Sequence, residues 1–292
     1  MNFEKGIKYG LTALAAVSLM ACGNDKDKKD AEGGKKTGED IHVISREDGS
    51  GTRSAFVEIV EITDGDEDAT TDTATIQNGT SAVMQGVAGD ETAIGYISLG
   101  SLDDSVKALK VNGVEATADN VSSGKYEIAR NFNLMYGKDL SDAAEDFWNF
   151  VFSAEGQKIV EENGFVPVDK EAPEYEAKEV SGTISIVGST SVEPVIQAIS
   201  EAYQKLNSKV TFEITAPGSG AGVTAAIDGT ADIGMASRDL KEDEVDKVKE
   251  VKSMAVDGIA VIVNKDNKVD DIKLDSVKNI YLGELTTWDE VK

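Results

Sequence analysis

Residues 184–237, ISIVGSTSVEPVIQAISEAYQKLNSKVTFEITAPGSGAGVTAAIDGTADIGMAS, decide the fold class. Short apolar runs at 184–187, 210–214 and 231–235 alternate with segments of helical spacing at 192–205 and 223–228. Strands that alternate with helices in this way are typical of α/β folds with largely parallel sheets. The same alternation is present between residues 41 and 97. We therefore predict an α/β fold for both halves of the chain.

Three glycine- and serine-rich loops each follow a predicted strand and open a predicted helix. They are 48–52 (DGSGT), 188–191 (GSTS) and 218–222 (GSGAG). The first N–H groups of a helix have no partner within it, and with the helix dipole they attract anions. One such loop is ordinary helix capping, but three of them, with Arg46 just upstream of the first, predict an anion site. No G-x-x-x-x-G-K-[ST] motif is present, so nucleotide hydrolysis has no support.

The N-terminal residues predict export. Lys5 and Lys8 precede an apolar run at 11–21 that is shorter than the roughly 20 residues needed to cross a bilayer. We interpret residues 1–21 as a signal peptide. The segment 19–22 (LMAC) resembles the lipobox of bacterial lipoproteins, which implies lipidation of Cys22 and a flexible tether over 22–40. This predicts an extracytoplasmic protein that is anchored to the cell membrane by lipid.

Charge and composition exclude several other classes. The net charge of −25 argues against a nucleic-acid partner, because duplex binding needs a basic surface. A single cysteine permits no disulfide within the chain, and His42 is the only histidine, so we expect no catalytic triad, no cofactor and no enzyme activity. Segment 64–75 has aspartates at its first, third and fifth positions but lacks the glycine and glutamate of a calcium loop, so no metal site is predicted.

Several separate motifs resemble one family. GSTSVEPV (188–195), APGSGAGVTAAIDGTADIGMASRDL (216–240) and ISREDGSGTRSAF (44–56) are similar to the phosphate-binding lipoprotein of the bacterial high-affinity phosphate ABC transporter. Segments 78–102 and 153–168 are also similar, so the resemblance covers nearly all of residues 41–292. It implies a two-lobed periplasmic-binding-protein-like fold that closes on inorganic phosphate. The partners implied are the permease and ATPase subunits of a phosphate importer.

The resemblance also implies a set of site residues. Arg46 would donate two parallel bonds to phosphate oxygens, with Asp48 as its ion-pair partner. The remaining phosphate-binding residues implied are Ser50, Gly51, Thr52, Ser191, Val192, Ser219 and Ser237.

Ser237 departs from the family pattern. Some members carry an aspartate there, which accepts the proton of hydrogen phosphate and repels fully ionised sulfate. Here Asp48, Asp239 or the serine oxygen would have to accept that proton. The alternatives are therefore a binder of another tetrahedral oxyanion, such as sulfate or molybdate, and a surface or regulatory derivative that binds no ligand. A phosphoester hydrolase with Ser50 or Ser191 as nucleophile lacks a base.

The order of the motifs is exchanged relative to the family, whose GSTSV half comes first. We interpret this as a circular permutation in which residues 170–181 connect the two old ends. The two crossings between lobes are expected near 127–134 and 257–263. The first lobe would then comprise 132–257, and the second would be split into 41–129 and 258–292. A domain-swapped dimer or a rearranged gene is the competing account.

Overall fold

The structure is a computed structural model, and it describes residues 39–65 and 67–291. The predicted signal peptide, the lipidation site at Cys22 and the tether up to residue 38 lie outside the described residues. Within the described part, no helix is both long enough and apolar enough to cross a membrane.

The described residues form an α/β fold, as the alternation of patterns predicts. The strands are β1 (His42–Arg46), β2 (Thr63–Asp64), β3 (Glu67–Asp68), β4 (Thr75–Gln77), β5 (Ala93–Ser98), β6 (Lys107–Ala108), β7 (Lys110–Val111), β8 (Ala129–Tyr136), β9 (Val166–Pro167), β10 (Gly182–Gly188), β11 (Val210–Thr215), β12 (Ile233–Ala236), β13 (Glu250–Val263) and β14 (Asp271–Ile272). The helices are α1 (Gly51–Val60), α2 (Thr80–Ala88), α3 (Ala118–Ser122), α4 (Asp142–Val151), α5 (Ala154–Glu162), α6 (Glu193–Leu206), α7 (Ser219–Ile227), α8 (Glu242–Val245) and α9 (Leu274–Tyr281).

One curled sheet connects the strands of both halves. Its order is β11-β10-β12-β8-β13-β5-β1-β4, and β6 and β9 also pair with β13. Pairing is parallel among β11, β10 and β12, and among β5, β1 and β4. The two long strands β8 and β13 run antiparallel to each other in the middle, and Asp257 lies opposite Arg130. The sheet thus consists of two sections of parallel strands that are joined by an antiparallel pair.

Buried side chains divide into two main cores on either side of this pair. One core takes its buried residues from Phe132 to Ala255 and is packed with aromatic rings of α4 and α6. The other core takes its buried residues from the segments 43–128 and 259–281, which precede and follow the residues of the first core in the sequence. A smaller group with Ile44 and Val83 extends this second core. Each core is therefore built around one end of β13.

Serine caps fix where several helices begin. Ser50, Ser141 and Ser153 accept a hydrogen bond from the N–H three residues on, at the start of α1, α4 and α5. Apolar residues recur at helical spacing across 140–160, a pattern that predicts one continuous helix, but Ser153 divides it into α4 and α5. Its hydroxyl donates to the Phe150 carbonyl at 2.7 Å and caps the start of α5. The helix expected to begin at residue 223 begins at Ser219. The loop 218–222 is thus the first turn of α7.

Candidate anion-binding site

Four helices begin close to one another. They are α1 at Gly51, α2 at Thr80, α6 at Glu193 and α7 at Ser219. The first turn of each carries N–H groups without a helical partner and the positive end of the helix dipole. Helix N-termini that meet in this way bind negative charge.

Hydroxyl groups bond to one another where α1, α2 and α6 meet. Thr52 Oγ1 lies 2.9 Å from Ser191 Oγ, and Thr80 Oγ1 lies 3.3 Å from the same atom. All three residues are buried. Ser50, the cap of α1, is buried beside them, and its Oγ accepts the Arg53 N–H at 3.3 Å. Hydroxyls both donate and accept, so these groups can exchange bonds with one another for bonds to an oxyanion.

A second group of hydroxyls lies where α1 meets α7 and the end of β12. Ser237 Oγ accepts from Ser189 Oγ at 2.9 Å and lies 3.3 Å from Ser219 Oγ. Gly51 packs directly on this group: a Cβ at that position would lie 2.3 Å from Ser219 Oγ and 2.8 Å from Ser237 Oγ. Only glycine permits this contact, because real Cβ atoms do not approach so closely.

Arg46 is buried at the end of β1, and its side chain is 2% exposed. Its Nε and Nη2 donate to the two carboxylate oxygens of Glu47, each at 2.7 Å. Nη2 also donates to Thr190 Oγ1 at 3.0 Å. Its Nη1 is buried and has no hydrogen-bond partner. A guanidinium held on one edge and unpartnered on the other is arranged to donate to a ligand from its Nη1 side.

The expected pairing of Arg46 with Asp48 is wrong. The Asp48 side chain is fully exposed, and its Oδ1 lies 3.2 Å from Arg53 Nη1. Gly49 follows with φ +79°, and this turn directs Asp48 outward while the longer Glu47 side chain folds back onto Arg46. Asp48 thus lies outside the group of buried side chains that the structure brings together.

The position of Glu47 has an electrostatic consequence. Burial raises the pKa of its carboxyl. The hydrogen bond and the charge of Arg46, together with the Gly79 N–H at 3.1 Å, lower the pKa by more than burial raises it. The net pKa lies below the ordinary value of 4.5. Glu47 is therefore ionised at neutral pH and neutralises Arg46.

Val192 and Asp239 are two further residues that the sequence analysis connects with the site, the first as a ligand and the second as a possible proton acceptor beside Ser237. Val192 is buried at the start of α6, and its N–H donates to the Ser189 carbonyl at 3.2 Å. Asp239 accepts from the side-chain amides of Asn131 and Asn133, at 3.1 and 3.0 Å. The side chains that hydrogen-bond Ser237 are those of Ser189 and Ser219, both hydroxyls.

Four residues of the site were missed from the sequence: Glu47, Thr80, Ser189 and Thr190. Segment 78–80 (NGT) has the same glycine-and-hydroxyl pattern before a helix as the three loops that were singled out. Ser189 and Thr190 belong to the GSTS loop itself, and their hydroxyls accept from the Ser191 N–H and from Arg46. The pattern could therefore have found three of the four.

The chemistry of the site is that of binding. His42, at the opposite end of β1, lies ~13 Å along the strand from Arg46 and bonds Asp90 and Thr75 at 2.6 and 2.7 Å. Among the described residues, no group of three or more histidine, cysteine or acidic side chains could hold a metal ion. Donors that converge on one point from several helix ends and an arginine hold an oxyanion.

One class of ligand-binding proteins is defined by three features. They are two sections of parallel strands, two strands that cross between them, and a polar site where helix N-termini meet. The chain belongs to the PBP superfamily, whose domain model matches residues 18–155 and 173–292.

Within that superfamily, the chain is similar to phosphate-binding proteins called PstS. It is 45% identical over 298 residues to phosphate-binding protein PstS 2 of Streptococcus pneumoniae serotype 4, covering 100% of both chains. A crystal structure of a phosphate-binding protein of a phosphate ABC transporter from S. pneumoniae TIGR4 matches with a TM-score of 0.71 and 47% identity, over 87% of this chain and 100% of that one. PstS of Staphylococcus haemolyticus is 36% identical over 39% of this chain and 38% of its own. The family identified from the sequence motifs is confirmed.

Proposed function

We propose that this protein is an extracytoplasmic solute-binding protein that captures inorganic phosphate for an ABC importer. The observation that carries the proposal is the buried Arg46, with Nη1 unpartnered, beside hydroxyls at the start of four helices. The names of the full-length relatives specify phosphate and an ABC transporter. Since the relatives are transport components, the protein is a binding protein and not an enzyme.

The local donors explain how a chain of net charge −25 could bind an anion. Its overall field repels phosphate, so the affinity must come from groups within a few ångströms. Buried N–H, hydroxyl and guanidinium donors act in a low dielectric, where each is worth more than at the surface. The proposed ligands are the residues of the sequence-based set without Asp48, together with Thr80: Arg46, Ser50, Gly51, Thr52, Thr80, Ser191, Val192, Ser219 and Ser237.

Anchoring and delivery are also proposals. The lipobox-like segment at Cys22 supports a lipid anchor at the outer face of the cell membrane, and two acyl chains suffice for stable attachment. The closed protein would deliver phosphate to permease and ATPase subunits. Mass spectrometry of the mature protein would test the anchor: an N-terminal diacylated or triacylated Cys22 supports it, and an unmodified N-terminus contradicts it.

The lobes are proposed to be 132–257 and 41–129 plus 258–292. The separation of the two cores supports this division. An exchanged order of halves is supported by the contact between residues 39–41 and 286–288: Ile41 N–H donates to the Thr286 carbonyl at 2.8 Å, and Trp288 N–H to the Glu39 carbonyl at 3.0 Å. The pneumococcal relative aligns over 100% of both chains, which supports the same order of halves in both.

Calorimetric titration of phosphate into the purified, ligand-stripped protein tests the function. We expect one site, and a loss of about 100-fold or more in affinity in Arg46→Met, because two or more charge-assisted hydrogen bonds disappear. Arg46→Lys keeps the positive charge but not the two-pronged guanidinium, so its phosphate affinity should lie between those of the wild type and Arg46→Met. A folded wild type that shows neither heat nor a thermal shift with phosphate would contradict the proposal.

Another tetrahedral oxyanion is a second candidate, favoured by one observation. The side chains that hydrogen-bond Ser237 are hydroxyls, and in the described part of the chain no carboxylate hydrogen-bonds them. A site with no obligatory acceptor has no strong means of rejecting sulfate, which carries no proton. Competition of sulfate and molybdate against phosphate distinguishes the two: phosphate displaced by equimolar sulfate would make the protein a general oxyanion binder.

A further inference from the structure

Arg130 is a second buried arginine, on the floor formed by the crossing strands. Its Nη2 and Nε lie 3.0 and 3.3 Å from Asp257 Oδ2 on the neighbouring strand. The side chains are 2% and 0% exposed, and Asp257 also accepts from Ser98 Oγ at 3.0 Å. Arg130 Nη1 is buried without a hydrogen-bond partner. Among the buried side-chain nitrogens of residues 39–65 and 67–291, only this atom and Arg46 Nη1 lack a partner.

Arg130 lies next to segments that follow two of the anion-binding loops in the chain. It lines a cavity of about 230 Å³ together with Ala55 and Arg238. Ala55 lies on α1 one turn after Gly51, and Arg238 directly follows Ser237. The walls of the cavity are therefore continuations of the loops that build the site, and the cavity is large enough for several water molecules.

The other charged groups around this cavity already have partners or are exposed. Arg238 donates to both oxygens of Glu244, at 2.6 and 2.8 Å. Asp239 accepts from two asparagine amides, and Glu58 is exposed on α1. Arg130 alone of the lining cations retains an unpartnered, buried N–H group.

The two arginines also influence each other. Burial lowers the pKa of Arg130, the ion pair with Asp257 opposes that effect, and the charge of Arg46 lowers it further, while Tyr96 acts in the opposite sense. Arginine stays protonated in spite of such shifts. Both arginines therefore remain cations, and each keeps a buried Nη1 group that can donate to an anion.

We propose that Arg130 is a second guanidinium of the anion site, and that it makes the site prefer the doubly charged form of its ligand, hydrogen phosphate over dihydrogen phosphate. This inference rests on the proposed function. Asp257 holds Arg130 in place by two hydrogen bonds on one edge, as Glu47 holds Arg46, and each arginine keeps its Nη1 for the ligand. Among residues 39–65 and 67–291, no carboxylate hydrogen-bonds the hydroxyls at Ser237, so no obligatory acceptor there favours an additional proton on the anion.

The test is calorimetric titration of inorganic phosphate at about pH 5.5 and about pH 8, on either side of the second ionisation of phosphoric acid. The wild type should bind more tightly at the higher pH. Arg130→Met with Asp257→Asn, which avoids a lone buried carboxylate, should lose about tenfold or more at the higher pH and less at the lower. Arg238→Met, in the same cavity but with its guanidinium paired, is the matched control and should keep the wild-type ratio.

Sulfate is the second probe, because it is doubly charged at both pH values. In the double variant, the affinity for sulfate should fall by the same factor at both pH values. A double variant with wild-type phosphate affinity and pH ratio would overturn the inference alone. A wild type that binds no phosphate would overturn the proposed function and the inference with it. If the double variant does not fold, Arg130→Lys decides: unchanged binding at the higher pH contradicts the role of the guanidinium.

Discussion

Two adjacent carboxylates, Glu47 and Asp48, differ completely in their surroundings. Glu47 holds two N–H groups of Arg46, whereas Asp48 is exposed. We predict that Glu47→Gln weakens phosphate binding about tenfold, because the amide cannot accept both bonds and Arg46 loses its fixed orientation. Asp48→Asn should leave the affinity unchanged. Titration calorimetry on both variants checks this, and equal losses in the two would show that Asp48 is the partner in solution.

Glu47 also affects the response of stability to acid. Its pKa is depressed in the folded protein, so the unfolded state binds more protons as the pH falls. The stabilisation is complete above the unfolded pKa, near 4.5, and is lost as the pH falls through the lower folded value. Urea unfolding between about pH 3 and pH 6 should therefore give a flatter acid limb for Glu47→Gln than for the wild type. Identical slopes would contradict the depressed pKa.

At this scale, residue types could be predicted but pairings could not. Arg46 was recognised as the principal cation of the site, and the structure buries it there. Its partner was misassigned because adjacent positions before a turn point in different directions. The positive φ of Gly49 sets that direction, and no pattern of residue types encodes whether position 47 or 48 faces inward.

At the level of elements, α1 and α4 offer matched capping serines. Ser50 Oγ accepts the Arg53 N–H and Ser141 Oγ the Ala144 N–H, each at 3.3 Å. Replacement of either by alanine should lower the free energy of unfolding by about 1 kcal/mol. Only Ser50→Ala should also weaken phosphate binding, since α1 begins in the site and α4 does not. Weakening by both variants would mean that the ligand responds to global stability and not to this hydroxyl.

Helix positions were predictable where apolar residues recur, and less so where they do not. The start of α7 was placed four residues late, because its first turn, 219–222, contains only small residues with no apolar periodicity. The break between α4 and α5 was missed because apolar spacing continues across Ser153. In both cases hydrogen bonds, not hydrophobic burial, fix the boundary.

For the whole molecule, the site depends on contacts that no local pattern contains. Thr52 and Ser191 lie 139 residues apart in the sequence, and their hydroxyls are 2.9 Å apart in the structure. The α/β class followed from the alternation of strands and helices. Only the resemblance to a family implied that the three loops meet. The pairing of β8 with β13 brings the two halves together, and the register of that pairing cannot be derived from sequence spacing.

Contacts between the two ends of the described part make the exchanged order of halves testable. Residues 39–41 already hydrogen-bond residues 286–288, so a short linker from 291 to 39 should close the chain at little entropic cost. The connector is a suitable opening, since Tyr175 stays attached by its hydroxyl to buried Asp146, at 2.5 Å, when the chain begins at Gly182. We predict that the rearranged chain, 182–291 followed by 39–180, folds and binds phosphate within about threefold of the parent.

A control opened within β8, before Phe132, should not fold, because that strand forms the middle of the sheet and contributes to the first core. Circular dichroism and calorimetry on both chains decide the matter. A chain opened at Gly182 that is unfolded, or that forms only dimers, would favour the domain-swapped account. A folded, phosphate-binding monomer would mean that the order of the halves is free to change as long as β8 and β13 remain intact, because both cores and the anion site depend on that pair of strands.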